Sequence, residues 1–157
     1  KGFGMEVIAY DPYLPPAVAK EYGVELVELD RILEECDVIS CHLPLLPATA
    51  GSINLDLFRK MKKKPLFINT SRGKVVNEED LCTALRQGLI RGAALDVIAS
   101  EPADFCSEIF TFDNVIITPH AAFYSETALE EVRRRSAQNI TGFFSNDLSG
   151  VSLIVKP

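Results

Sequence analysis

The chain has 157 residues, 47% hydrophobic and 24% charged, which is the balance of a soluble globular protein with room for a real core. Its net charge of −6, with no basic block, argues against a nucleic-acid partner or an anionic membrane surface. No apolar run reaches the length of a transmembrane helix, and the N-terminus does not read as a signal peptide.

Cys36, Cys41, Cys82 and Cys106 sit in apolar or helical patterns. They form no C-x-x-C pair and no metal-like grouping with the two histidines. They read as reduced packing residues, which suggests a cytoplasmic protein without a metal site.

In chain order, Lys1-Gly2-Phe3-Gly4-Met5 reads as the tail of a helix and a turn whose beginning is absent. Residues 6–10 are a mostly apolar run stopped by Asp11-Pro12, so a buried strand is expected. Pro15-Pro16 open a helix that Gly23 ends, and 24–27 are a brief strand. Residues 30–36 read as a short amphipathic helix with Ile32 and Leu33 inward. A further strand covers 37–43 and is closed by Pro44 and Pro47.

Residues 54–60 read as helix, Lys62-Lys63-Lys64-Pro65 as a solvated turn, and 66–69 as strand. Asn77 caps a helix through Gln87, with Glu78, Glu79 and Asp80 favourable in its first turn and Gly88 as its stop. Two more strands are predicted at 92–97 and 115–118, separated by a long loop containing Pro102. The longest helix is expected from Ser125 to about Phe144. Helices alternating with continuously apolar strands indicate a doubly wound parallel sheet covered on both faces.

Three ionisable residues stand at or just beyond the ends of apolar runs: Arg72, Glu101 and His120. Ligands of open α/β sheets bind outside the carboxyl ends of the strands. A cation there can hold an anionic substrate, and a carboxylate–imidazole pair can move a proton. Each residue alone is unremarkable; their order on successive strand ends lifts all three together.

Asp11 directly follows the first strand, where an acidic residue can accept hydrogen bonds from an adenosine ribose and repel the extra phosphate of NADP. The competing reading is a turn-forming Asp before Pro. Gly2-Phe3-Gly4 precedes a strand, so it is no dinucleotide fingerprint. His42 ends a strand at the same edge and suits a pocket wall better than catalysis. In Asn69-Thr70-Ser71-Arg72-Gly73, small residues allow close approach of a ligand, and Arg offers a fork that grips a carboxylate.

With Tyr10-Asp11-Pro12, His42-Leu43-Pro44-Leu45, Asn69-Thr70-Ser71-Arg72-Gly73, Ala94-Leu95-Asp96-Val97, Glu101-Pro102 and Thr118-Pro119-His120, the chain resembles the D-isomer-specific 2-hydroxyacid dehydrogenase family over nearly its whole length. Pro119-His120-Ala121-Ala122-Phe123-Tyr124-Ser125-Glu126 is most similar to the C-terminal-binding-protein branch. The resemblance implies catalytic roles: Arg72 on the substrate carboxylate, His120 as general acid–base, and Glu101 holding its imidazole and favouring the protonated form. It implies NAD as cofactor, with Asp11 on the ribose and Asp96 near the nicotinamide carboxamide. His42, Leu43, Pro44, Thr49, Thr70, Ser71, His120 and Ala122 complete the implied cofactor site. The partner would be a small 2-hydroxy or 2-oxo acid, and the full-length protein a homodimer.

The family carries a strand, a glycine fingerprint and a helix ahead of the position of Val7, and a substrate domain built mainly from earlier sequence. None of these is found here. The expected fold is therefore a Rossmann-like α/β sheet lacking its first strand, which in the strand order 3-2-1-4-5-6 is a central one. That absence separates the first two strands from the other four. Residues 1–144 are read as an incomplete dinucleotide-binding domain, with 125–144 a helix returning toward the absent substrate domain and 145–157 a tail. The chain resembles the C-terminal part of a longer dehydrogenase. A dinucleotide-sensing corepressor and an inactive truncated product are the alternatives. Without the glycine-rich turn, the isolated chain is expected neither to catalyse nor to bind NAD tightly.

Overall fold

The computed structural model describes residues 2–147, 149 and 151, so most of the predicted tail lies outside the described residues. Strands and helices alternate: β1 (Ile8–Ala9), α1 (Pro16–Glu21), β2 (Glu25–Leu26), α2 (Leu29–Glu35), β3 (Val38–Cys41), α3 (Leu55–Lys60), β4 (Leu66–Asn69), α4 (Glu78–Arg86), β5 (Gly92–Leu95), β6 (Val115–Ile117) and α5 (Glu126–Ser145). The chain forms two compact units, Lys1–His120 and Ala121–Pro157.

All pairings in the first unit are parallel. Among the described residues, β1 and β2 form one sheet, and the other runs β3-β4-β5-β6. The break falls between the second and third strands, as the sequence led us to expect. β1 and β2 are two residues each, in a sheet of two strands.

Register decides which face is buried. Ile39, Phe67, Ala93 and Val115 share one face, and Cys41, Asn69, Leu95 and Ile117 continue it. Helices cover that face: Leu33 of α2, Phe58 of α3 and Leu81, Cys82 and Leu85 of α4 join Phe67, Ala93 and Leu95 in one core. Phe58 and Phe67 meet edge to face with ring centroids 5.5 Å apart, a favoured aromatic geometry.

The opposite face differs from the expectation of cover on both sides. It carries Val38, Leu66 and Ile116, and Ile116 is 68% exposed. The reason is that the helices after β2, β3 and β4 all pack on the same side.

Local sequence explains the helix starts. Asn54, Asn77 and Ser125 accept hydrogen bonds from Leu57, Asp80 and Ala128 N–H groups, satisfying donors that a helix leaves open. Asp80 also reaches across to accept from the Leu55 N–H at 3.0 Å, tying α4 to the start of α3. The lysine turn is exposed as expected, yet Lys62 pairs with Glu34 and Lys63 with Asp37. In the second unit, α5 has no buried residue among those described, and Ala128 and Leu129 are half-buried. Asn146 ends it in the left-handed conformation, φ 57°.

Candidate active site

β4 ends on Asn69, which register places beside Phe67 on the helix-covered side. It is 1% exposed, so its amide must find partners inside. Oδ1 accepts from the Ser71 N–H at 3.0 Å and from the Ser71 hydroxyl at 2.8 Å, and Nδ2 donates to the Arg72 carbonyl at 3.1 Å. The buried amide thus shapes the turn that carries Arg72. The Arg72 side chain is exposed and donates from Nη1 to the Ser71 carbonyl at 2.6 Å. Gly73 follows because nothing larger fits: a Cβ there would lie 1.8 Å from the Ile98 carbonyl oxygen. The Arg72 turn and the start of the Glu101 loop are in backbone contact.

β5 leads into Asp96, which is 5% exposed and accepts the Thr118 hydroxyl at 2.5 Å. The chain then loops out to Glu101. One carboxylate oxygen accepts from the Ile98 N–H at 3.3 Å, and the other meets His120 Nδ1 at 2.8 Å. An ionised carboxylate only accepts, so Nδ1 is the donor, and Nε2 is the ring nitrogen that Glu101 does not engage. His120 itself sits at φ 52°, a left-handed conformation in which the chain turns as it leaves the end of β6. Glu101 and His120 line a cavity of about 570 Å³ with Asp96, Phe105, Phe110 and Ile117.

The structure thus joins two of the three predicted catalytic residues directly. Arg72 stands at the same sheet edge, three residues beyond β4, as His120 does beyond β6. β5 lies between them, so two strand spacings, about 10 Å, separate their strands.

The predicted cofactor residues of the first unit follow the carboxyl ends of β1, β3, β4 and β5. Asp11 follows β1; its Oδ1 accepts from the Tyr13 and Leu14 N–H groups at 2.9 and 3.2 Å, so the turn-forming reading is realised, with the residue exposed. His42 follows β3 and pairs through Nε2 with the Ser40 hydroxyl at 2.9 Å. Leu43 packs against the core. The Pro44 carbonyl accepts the Thr49 hydroxyl at 2.5 Å, and that oxygen accepts the Leu46 N–H at 2.8 Å, so Thr49 builds its own loop. Thr70 is exposed just beyond β4, and Ser71 is half-buried on Asn69. Ala122 belongs to the second unit.

Sequence reasoning passed over the buried amide of Asn69 and the hydroxyl of Thr118. A signal existed for Asn69: it continues the inward register of an apolar strand, and a polar group there needs a task.

This edge can be compared with known proteins. A family model for the D-isomer specific 2-hydroxyacid dehydrogenase, NAD binding domain, matches residues 1–122. The chain belongs to this family. It is 39% identical over 153 residues to D-3-phosphoglycerate dehydrogenase 2, chloroplastic, of Arabidopsis thaliana, covering 98% of this chain and 24% of that protein. It is 40% identical over 143 residues to glyoxylate reductase of Korarchaeum cryptofilum, covering 91% of this chain and 43% of the relative. D-lactate dehydrogenase from Aquifex aeolicus, solved with NAD and lactic acid, superposes with a TM-score of 0.86 at 34% identity, over 99% of this chain and 52% of that one. The chain therefore spans about half of that solved structure and less than half of these curated relatives. None of the three is a C-terminal-binding protein, so they lend no support to the nearer likeness of residues 119–126 to that branch.

Proposed function

We propose that the protein, at its native full length, catalyses NAD(H)-dependent interconversion of a small 2-hydroxy acid and its 2-oxo acid. The observation that carries this reading is the Glu101–His120 hydrogen bond at the strand ends, on the same edge as Arg72. NAD(H) supplies or accepts the hydride when bound.

The donor set suits that cofactor at both ends. Asp11 offers an exposed carboxylate after β1 for a ribose, and Asp96 lines the His120 cavity where the nicotinamide would lie. His42, Leu43, Pro44, Thr49, Thr70, Ser71 and Ala122 are the further cofactor residues of this reading.

The protein's own work is binding and proton transfer. The Arg72 fork grips the substrate carboxylate by two hydrogen bonds. His120 Nε2 gives a proton to the substrate oxygen during reduction and takes it back during oxidation. Glu101 holds the ring through Nδ1 throughout. A long arginine and a small acid can bridge the width between β4 and β6. A homodimer is the assembly proposed for the full-length protein. The four free cysteines support a reducing compartment such as the cytoplasm. Among the described residues, no helix is long and apolar enough to cross a membrane.

The test is to follow NADH consumption by the purified full-length protein with glyoxylate, pyruvate and bulkier 2-oxo acids. Turnover with at least one, producing the D-hydroxy acid, is the expected result. No turnover with any of them, at protein and NADH concentrations that support a known relative, would reject the reading.

A further inference from the structure

The loop that presents Glu101 is held from outside itself. Glu78, the first residue of α4, points both carboxylate oxygens at it. One accepts the Ala99 N–H at 2.9 Å, and the other accepts the Ser107 hydroxyl at 2.9 Å. Ala99 lies two residues before Glu101 and Ser107 six residues after it. Both contacts are partly buried, so water competes poorly for them. Hydrogen bonds to a charged acceptor are the stronger kind, and the positive end of α4 favours the carboxylate there. Glu78, Asn69, Gly73, Ile98 and Ala99 also line one small void between the ends of β4 and β5 and the start of α4. At this point the Arg72 turn abuts the Ile98 carbonyl, and the Ile98 N–H serves Glu101.

We propose that Glu78 is a positioning residue: it clamps both ends of loop 98–107 and so fixes Glu101 against His120 and beside the Arg72 turn. Glu78 touches no reacting atom in this scheme. Its effect passes through Ala99 and Ser107 to the Glu101 carboxylate, and from there to the imidazole. The inference rests on the dehydrogenase reading for its kinetic consequence, while the geometry it describes has its own readout.

The experiment uses the full-length protein with Glu78→Ala, Glu78→Gln and Ser107→Ala. Two quantities are measured: steady-state reduction of a 2-oxo acid, and the low-field NMR signal of the His120 ring N–H, assigned by its loss in His120→Asn. Glu78→Ala is expected to lower kcat about tenfold, the worth of one hydrogen bond to a charged group, with KM for NADH within about twofold, and to broaden or erase the ring signal. Ser107→Ala removes one of the two tethers, together with the acceptor of the Ile109 N–H, and is expected to fall between Glu78→Ala and the unaltered protein. Glu78→Gln is expected to restore most of both quantities. Its amide oxygen can accept from Ala99, and its NH₂ can donate to the Ser107 oxygen.

An unchanged ring signal and kcat in Glu78→Ala would overturn the proposal. So would Glu78→Gln failing as badly as Glu78→Ala at equal thermal stability. If the unaltered protein turns over no 2-oxo acid, the dehydrogenase reading fails, and the ring signal alone still decides the role of Glu78.

Discussion

The four-stranded and two-stranded parts of the first unit are built from the same kind of residue and reach different ends. β3 to β6 close over a continuous core with Phe58, Val75, Ala84 and Ile109 fully buried. Among the described residues up to Glu28, only Ala19 is buried, and Val7 and Tyr10 remain 40% and 42% exposed. Both parts contain apolar strands flanked by helices, so hydrophobicity alone does not separate them. The difference is extent: two two-residue strands that pair with each other alone have too little sheet to exclude water from both faces. The chemistry divides in the same way. The proposed proton-transfer pair stands on the well-packed part, and the proposed ribose carboxylate stands on the sparsely packed one.

The strongest way to break that division is through the site. His120→Asn should lower turnover about 10²–10⁴-fold, the worth of a general acid–base. Glu101→Gln should lower it roughly tenfold to a hundredfold, the worth of one charged hydrogen bond. Steady-state kinetics on the full-length protein check both, and near-normal turnover in His120→Asn would remove it from the mechanism.

Next in size is the core. Phe58→Ala removes a 0%-exposed ring and its edge-to-face partner and should cost about 3–5 kcal/mol. Ile8→Ala, in half-buried β1, should cost about 1 kcal/mol. Urea unfolding of the 157-residue chain carrying each substitution measures the contrast. Equal costs would mean that β1 is packed as tightly as β4.

A smaller effect sharpens the chemical side. Asp11→Asn keeps an oxygen for the Tyr13 and Leu14 N–H groups and removes the charge. The ratio of catalytic efficiency with NADH to that with NADPH should fall about tenfold, equivalent to roughly 1.4 kcal/mol. An unaltered ratio would take Asp11 out of cofactor choice.

The smallest effect is on thiol reactivity. Burial, helped by Glu108 and Glu78, pushes the Cys82 thiol up to about 11 from 9.0. Its thiolate is therefore scarce near pH 8, and labelling with a thiol reagent should reach exposed Cys106 first and Cys82 only on unfolding. The raised value contributes stability that is full below about pH 9 and is lost as pH rises toward 11. Comparable labelling rates for Cys82 and Cys106 would contradict the buried placement.

Much of this was legible in the chain. The strands of the larger sheet announce themselves as apolar runs, and Asn77 and Ser125 mark helix starts because their side chains have one obvious backbone task. The division into two sheets was expected from the strand order 3-2-1-4-5-6 of the fold the chain resembles. The 3₁₀ turns Gly73–Val75 and Glu108–Thr111 were not legible, since three or four residues carry no periodicity. The open face was also hidden: a continuously apolar strand reads the same whether one face or both are covered.

At the site, Arg72, Glu101 and His120 could be picked out by their place after apolar runs. The contacts that hold them could not. Glu78 reaches Ala99 across 21 residues and Ser107 across 29, and Thr118 reaches Asp96 across 22. Such distances leave no local pattern, and only the folded sheet edge brings those groups together.

The bond from the Leu55 N–H to Asp80 has a consequence for how the molecule opens. Asn54 secures the Leu57 donor at the start of α3 from within, but the Leu55 donor depends on a neighbouring helix. α3 cannot keep that amide protected once the first turn of α4 frays. The two helices therefore belong to one cooperative unit of local unfolding, and slow hydrogen exchange at Leu55 is a gauge of α4 as much as of α3. Because α4 begins with Glu78, the same amide reports on whether the Glu101 loop still has its anchor.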